Sequence, residues 1–472
     1  MKVEQIYTSC LAQGTYYIES EGEAVVIDPL REVAPYITKA TGDGARIKYI
    51  FETHFHADFV SGHVDLARET GASIVYGPGA DTSFSAHIAQ HGEEFRVGRV
   101  TFQLLHTPGH TMESACYLLK DETGKAVALF SGDTLFIGDV GRPDLAQKAA
   151  HMSVDELAGT LYDSLRTKVM TLPEDIIIYP AHGAGSACGK NMGKETTDTL
   201  GNQKRTNYAL RADMTRAEFI REVTDGLTTP PAYFPLNVLL NKQGYDNISE
   251  VLKRGQQALN PDAFEMAAKE TGALILDTRA PHTFAKGFIP NAVNIGIDGS
   301  FAPWVGALIS DIRQPILVVT EPGREEEVVT RLARVGYDGT IGYLDGGFDA
   351  WHSAGKEVDA IASLPAESFA PFATKPGVQI IDVRKPGEFD SEHVVGAQNF
   401  PLDNINEHIS ALDPQQSYFV HCAGGYRSMI FNSILRARGF HKLIDVRGGF
   451  KAIKESGAIP VTAYVCPSTF TK

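Results

Sequence analysis

The chain has 472 residues, 43% hydrophobic and 21% charged, the balance of a globular protein able to bury large cores; at roughly 150 residues per domain its length predicts about three domains. A formal net charge of −15 excludes the basic footprint of a nucleic-acid or anionic-membrane binder, so a small anionic substrate must be held by local positive groups. No apolar run approaches the ~20 residues that span a bilayer, and the opening MKVEQIYTSCLAQG lacks a basic stretch followed by an apolar core, which predicts a cytoplasmic protein.

Residues 1 to about 256 alternate strands, turns and helices, with strand-like runs at 24–27, 48–51, 126–130 and 175–179. Each run leads to a polar segment holding Asp or His, the place where a sheet can aim side chains from separate loops at one point. Tyr16 and Tyr17, in an earlier strand-like run, either line a pocket mouth or belong to the core. The segment Thr53-His54-Phe55-His56-Ala57-Asp58 follows the second run, and an extended backbone projects His54, His56 and Asp58 from one side. Next come His106-Thr107-Pro108-Gly109-His110, Ser131-Gly132-Asp133 and Pro180-Ala181-His182. Four such segments at strand ends, in this order, predict a metal site.

Gly138-Asp139-Val140-Gly141-Arg142-Pro143-Asp144 follows the Asp133 strand; Arg142 is either a fixed cation for an anionic substrate or the partner of Asp144 in bracing the loop. The chain has 5 cysteines, scattered and without a CxxC, so no disulfide framework or structural zinc is expected. Cys188 is either a sulfur relay near the metal, with Lys190 lowering its pKa, or a small packing residue. Cys10, Cys116 and Cys466 carry no comparable context.

From about residue 257 the chain repeats itself. Leu274-Ile275-Leu276-Asp277-Thr278-Arg279 answers Gln379-Ile380-Ile381-Asp382-Val383-Arg384, and Gly346-Gly347-Phe348 answers Gly448-Gly449-Phe450. Each unit opens on a proline-containing helix start and alternates β-rich with helical runs, the pattern of a parallel sheet covered by helices. The predicted domains are 1–256, 257–358 and 359–472, with 359–363 as linker. In the last, the apolar strand 418–421 runs into Cys422-Ala423-Gly424-Gly425-Tyr426-Arg427-Ser428 and a helix from about Met429 to Arg438. Backbone N–H groups and the positive helix end there favour a thiolate or persulfide anion. The first unit has no cysteine at the corresponding place, only Thr320-Glu321-Pro322-Gly323-Arg324-Glu325-Glu326-Glu327, whose carboxylates oppose an anionic sulfur. It should be catalytically silent, serving to position its neighbours or to build the subunit interface of a homo-oligomer.

The first half of the chain resembles the metallo-β-lactamase superfamily, and residues 363 to about 457 resemble a rhodanese. These resemblances imply an α/β fold: an N-terminal αββα sandwich, then a degenerate and a working rhodanese domain with parallel sheets. The superfamily's HxHxDH motif usually serves a two-metal hydrolase, but here Phe59, which offers no lone pair, stands at its last position. The departure matches the persulfide dioxygenases, relatives of glyoxalase II. Carried over by position, that resemblance implies one Fe(II) per chain, with zinc able to substitute, on His54, His110 and Asp133. His56, Asp58 and His182 then orient the ligands or act as alternative ligands. Two imidazoles and a carboxylate leave positions for O2 and a substrate sulfur, redox chemistry that zinc cannot perform. The rhodanese resemblance makes Cys422 the sulfur carrier, with Arg427 and Ser428 as further catalytic residues. Ala423 stands where the commonest rhodanese loop has Arg, so thiosulfate is a less certain donor.

The leading expectation is oxidation of a low-molecular-weight thiol persulfide to sulfite, coupled to sulfur transfer through Cys422, with thiosulfate as product. The alternatives are a two-metal, glyoxalase II-like thioester hydrolase and a non-enzymatic sulfur-carrier scaffold.

Overall fold

The apolar residues of the first 250 positions build two six-stranded sheets packed face to face. The structure is a computed structural model that describes residues 1–227 and 229–466. These fall into two compact units: Met1–Glu250 with Leu332–Gly336, and Val251–Arg331 with the remainder. In the first unit, β1 (Lys2–Thr8), β2 (Gln13–Ser20), β3 (Glu23–Ile27), β4 (Arg46–Phe51), β5 (Ser73–Tyr76) and β6 (His87–Ile88) follow one another across one sheet. In the other sheet, β7 (Glu94–Val97), β8 (Val100–His106), β9 (Ala115–Lys120), β10 (Ala126–Gly132), β11 (Ile177–Pro180) and β12 (Asp198–Thr199) do the same.

Side-chain alternation explains the layers. Val25 and Ile27 of β3 join Phe102, Leu104, Tyr117 and Phe130 between the sheets, while Ala24 and Val26 face outward onto helices Ala34–Gly42 and His63–Thr70. On the other side, Leu118 and Leu129 face helix Val154–Ser164 through Ala158 and Leu161. The result is the αββα sandwich. Tyr16 and Tyr17 are buried in it, Tyr16 donating to the Pro180 carbonyl at 2.6 Å, so both are core residues. The two sheets meet at one rim, where Gly14 N–H donates to Ala181 O and Gly183 N–H to Ala12 O. β3, β4, β8, β10 and β11 all end near there.

The second unit holds the repeat. One parallel sheet runs β13 (Ala258–Leu259), β17 (Thr340–Leu344), β16 (Ile316–Val319), β14 (Leu274–Asp277), β15 (Val293–Asn294). The other runs β18 (Ala362–Pro365), β22 (Leu443–Arg447), β21 (Tyr418–His421), β19 (Gln379–Asp382), β20 (Gln398–Asn399), the same order. Side-chain bonds repeat too. Arg279 pairs with Asp277 and lies 4.3 Å over the Phe348 ring; Arg384 pairs with Asp382 and lies 4.0 Å over Phe450. Residues 359–363 differ from the tether the sequence suggested. Asp359 exchanges backbone hydrogen bonds with Phe288 and takes two from the Arg436 guanidinium at 2.7 and 2.6 Å, Ile361 is in the first repeat's core, and β18 begins at Ala362.

Candidate metal centre and sulfur loop

Four strand ends supply the buried cluster. The loop after β4 carries His54, His56 and Asp58, the loop after β8 carries His110, β10 ends on Asp133, and β11 leads to His182. Gly132, at φ +53°, has no Cβ to collide with Thr53, which lets β10 deliver Asp133 beside the His54 loop. His54 Nε2 lies 3.7 Å and His110 Nε2 3.5 Å from the same oxygen, Asp133 Oδ2. That oxygen is buried and accepts no hydrogen bond, an orphan whose missing partner is a cation. Zinc, iron and similar ions all suit such a donor set.

The surroundings fix how each ligand presents itself. His110 Nδ1 donates to the Arg142 carbonyl at 2.8 Å; a carbonyl only accepts, so Nε2 keeps its lone pair for a metal. Thr53 Oγ1 lies 3.0 Å from His54 Nδ1 and donates to Asp28 Oδ2 at 2.9 Å, which gives His54 the same tautomer. Burial, aided by His56, holds the His54 imidazole well below its usual pKa and neutral. His182 Nδ1 donates to Asp133 Oδ1 at 2.8 Å, and its Nε2 is 2.9 Å from Asp58 Oδ2. Burial alone would lower the His182 pKa, but the two carboxylates flanking it raise it well above the usual value. Burial would raise Asp133, and the histidines around it, led by His182, hold it low instead.

Phe59 fills the slot of the missing imidazole, its ring 4.3 Å from that of His56. His56 Nε2 is 3.1 Å from Asp28 Oδ1 and 3.8 Å from Glu52 Oε2. His63 sits 3.6 Å from Glu52, and burial takes its pKa to about 3. A cavity of about 490 Å³ opens at His110, walled by Phe55, Phe234, Val238 and Lys242.

The geometry bears on two alternatives that the sequence left open. Arg142 spends its guanidinium on Asp144, at 2.7 Å through both Nε and Nη2, and on Ala187 O, so the bracing role is the one observed. Lys190 does not touch Cys188; its Nζ donates to Glu222 O and Asp225 O. Cys188 does lie within reach of Asp133 and His182, but burial and the charges of Asp58 and Asp133 push its thiol well above the usual pKa.

In the last repeat β21 delivers Cys422, whose Sγ accepts the Gly425 N–H at 3.1 Å. The helix begins at Tyr426, three residues earlier than the sequence suggested, because Gly425 at φ +98° ends the loop. Phe450 N donates to Cys422 O and Lys451 N to Ala423 O, which clamps the loop from the other side. Arg427 pairs with Glu388 at 2.7 and 2.9 Å. Ser428 is fully buried and donates to Asp445 Oδ1, which braces the helix start. Thr278 N bonds Val319 O as Val383 N bonds His421 O, which places Thr320 where Cys422 stands. Glu388, Asp445 and Asp28 were missed from the sequence, where nothing pairs them with residues so distant.

Residues 10–182 match the model of the metallo-beta-lactamase superfamily, and residues 260–354 and 366–456 that of the rhodanese-like domain. A solved metallo-beta-lactamase from Staphylococcus aureus is 32% identical, with a TM-score of 0.63, over 73% of this chain and 98% of that one. The chain belongs to the metallo-β-lactamase superfamily. This superfamily member carries two rhodanese-like domains after its metal-binding fold. The human mitochondrial persulfide dioxygenase ETHE1 is 36% identical over 34% of this chain and 59% of its own length. A probable hydroxyacylglutathione hydrolase of Schizosaccharomyces pombe is 31% identical over 35% and 60%. The chain thus spans about 60% of the length of these two relatives. Among the described residues no helix is long and apolar enough to cross a membrane.

Proposed function

We propose that this superfamily member is a persulfide dioxygenase joined to a sulfurtransferase. The overall change at the first site is RSSH + O2 + H2O → RSH + SO3²⁻ + 2 H⁺. At the second, a persulfide on Cys422 passes its outer sulfur to sulfite, giving thiosulfate and the free thiol. The observation that carries the reading is the unpartnered, buried Asp133 Oδ2 between the Nε2 atoms of His54 and His110, with Phe59 in the place of a further ligand. When bound there, Fe(II) supplies the redox chemistry of dioxygen activation, which zinc lacks.

The chain's own residues do the rest. Arg142 O and the Thr53–Asp28 pair hold the two imidazoles in the ligating tautomer. His182 occupies the outer oxygen of Asp133, leaving Oδ2 to face the ion. Phe55, Phe234 and Val238 give the cavity at His110 apolar walls, and Lys242 places a cation at its wall. Gly425 N–H and the start of helix Tyr426–Ala437 stabilise anionic sulfur on Cys422. Cys188, with its thiol kept protonated, is read as packing.

The hydrolase named among the relatives keeps a second reading open, since His56, Asp58 and His182 place three donor atoms within 4.8 Å of one another. Oxygen-electrode assays on iron-loaded protein with several thiol persulfides, followed by sulfite and thiosulfate analysis, separate the two. The proposal expects oxygen uptake with sulfite formation, and a loss of thiosulfate but not of oxygen uptake in Cys422→Ser. Hydrolysis of a glutathione thioester without oxygen uptake overturns it.

A further inference from the structure

The loop Ala423-Gly424-Gly425 is conformationally permissive, and a Cβ at Gly424 would meet nothing within 4 Å. Phe450 and Lys451 hold only one side of it. Its other end is Tyr426, the first residue of helix Tyr426–Ala437, and that residue is anchored in the first repeat. Tyr426 Oη donates to Gly296 O at 2.7 Å. The ring fills the space over Gly299, where any Cβ would overlap ring carbons. Further along the helix, Ser433 Oγ accepts the outward N–H of Asn294 on β15 at 2.9 Å, and Met429 is buried in the first repeat's core with Phe284 and Phe288.

The turn at 296–299 is itself held from behind by the loop and helix that correspond to the sulfur loop. Arg331 Nη1 donates to Ile297 O at 2.7 Å, and Arg324 pairs with Asp298 at 2.8 Å. Both arginines also bond Glu327. One of the carboxylates that would oppose a sulfur anion in this repeat, Glu327, thus anchors the arginines that hold the turn.

We infer that the cysteine-less repeat is a bracket for the Cys422 loop, with Tyr426 as its positioning residue. A chain of contacts runs from Glu327 through Arg331 and the 296–299 turn to Tyr426, and so to Gly425, whose N–H meets the sulfur. The bracket fixes a Gly-rich loop that its own sequence leaves free. The inference rests on the reading of Cys422 as the sulfur carrier.

The test uses the full chain with Tyr426→Phe, Arg331→Gln and Gly299→Ala. The readouts are the iodoacetamide alkylation rate of Cys422 by mass spectrometry, its loading from a small thiol persulfide, the thermal melt and oxygen uptake. Tyr426→Phe is expected to slow alkylation and loading about fivefold, the worth of one neutral hydrogen bond. The donor KM, the melt and oxygen uptake should stay unchanged. Arg331→Gln should give a loss in the same direction, although it lies outside the Cys422 loop, and Gly299→Ala a larger one. Wild-type alkylation rates in both Tyr426→Phe and Arg331→Gln overturn the bracket, whether or not Gly299→Ala folds. Alkylation needs no sulfur donor. A wild-type Cys422 that alkylates but takes no sulfane sulfur therefore refutes the transfer reading alone, and the variants' alkylation rates still decide the bracket.

Discussion

Gly141→Ala adds one methyl group to the wall behind His110. The new Cβ would lie 2.9 Å from His110 Nδ1 and 3.0 Å from Cγ, against 3.4 Å for ordinary contact, and the Asp133 carbonyl lies closer still. The φ of Gly141 is not positive, so the backbone itself tolerates alanine and the effect is steric. The ring must retreat by about half an ångström, and the 141–142 backbone must move farther to clear Asp133. Both motions strain the His110 Nδ1–Arg142 O bond that sets the tautomer. A ligand displaced by half to one ångström costs roughly 10- to 100-fold in metal affinity or activity, and overpacking costs about 1–3 kcal/mol of stability. The assay is iron affinity by chelator competition beside the thermal melt. Gly189→Ala is the control, because its Cβ would meet nothing closer than 3.1 Å. Wild-type iron affinity in Gly141→Ala would refute the claim that this wall positions His110.

Phe59→His returns an imidazole beside His56 and His182, so bound metal by elemental analysis should rise from one toward two ions per chain while oxygen uptake falls at least about tenfold. Thr320→Cys puts a thiol at the position of Cys422 in the first repeat, next to Glu321 and ahead of Glu325, and is expected to take up no sulfur by mass spectrometry. Burial pushes the Asp445 carboxyl from 3.8 up to about 6, with Ser428 and Ser363 only partly offsetting it. The native state therefore keeps this proton to higher pH than the unfolded chain, and stability is lost as pH rises from about 4 to 6. Urea denaturation should show Asp445→Asn gaining on the wild type by roughly 2 kcal/mol between pH 4 and pH 7, and a pH-independent difference would contradict this.

What the sequence made legible was local. His54, His110 and Asp133 stand at strand ends where an apolar run stops, and the run-and-stop pattern is visible without a fold. The repeat was legible because Asp277-Thr278-Arg279 and Asp382-Val383-Arg384 make the same buried pair in both copies. What stayed hidden depends on residues far apart in the chain. Lys190 is two positions from Cys188, yet burial, with Asp58 and Asp133, governs the thiol. Residues 359–363 have linker composition, yet Asp359 is tied to Arg436. Tyr426 reads as part of the sulfur loop, and its partner, a glycine carbonyl in the other repeat, leaves no mark in sequence. Arg142 was ambiguous because the choice between substrate and Asp144 is made by the loop's fold.

Elemental analysis of protein reconstituted anaerobically with iron, followed by oxygen uptake on a thiol persulfide, tests the central claim most directly. The account requires about one iron per chain and uptake that rises with iron occupancy and yields sulfite. Two tightly held zinc ions per chain, with thioester hydrolysis and no oxygen consumed at any iron loading, would contradict it.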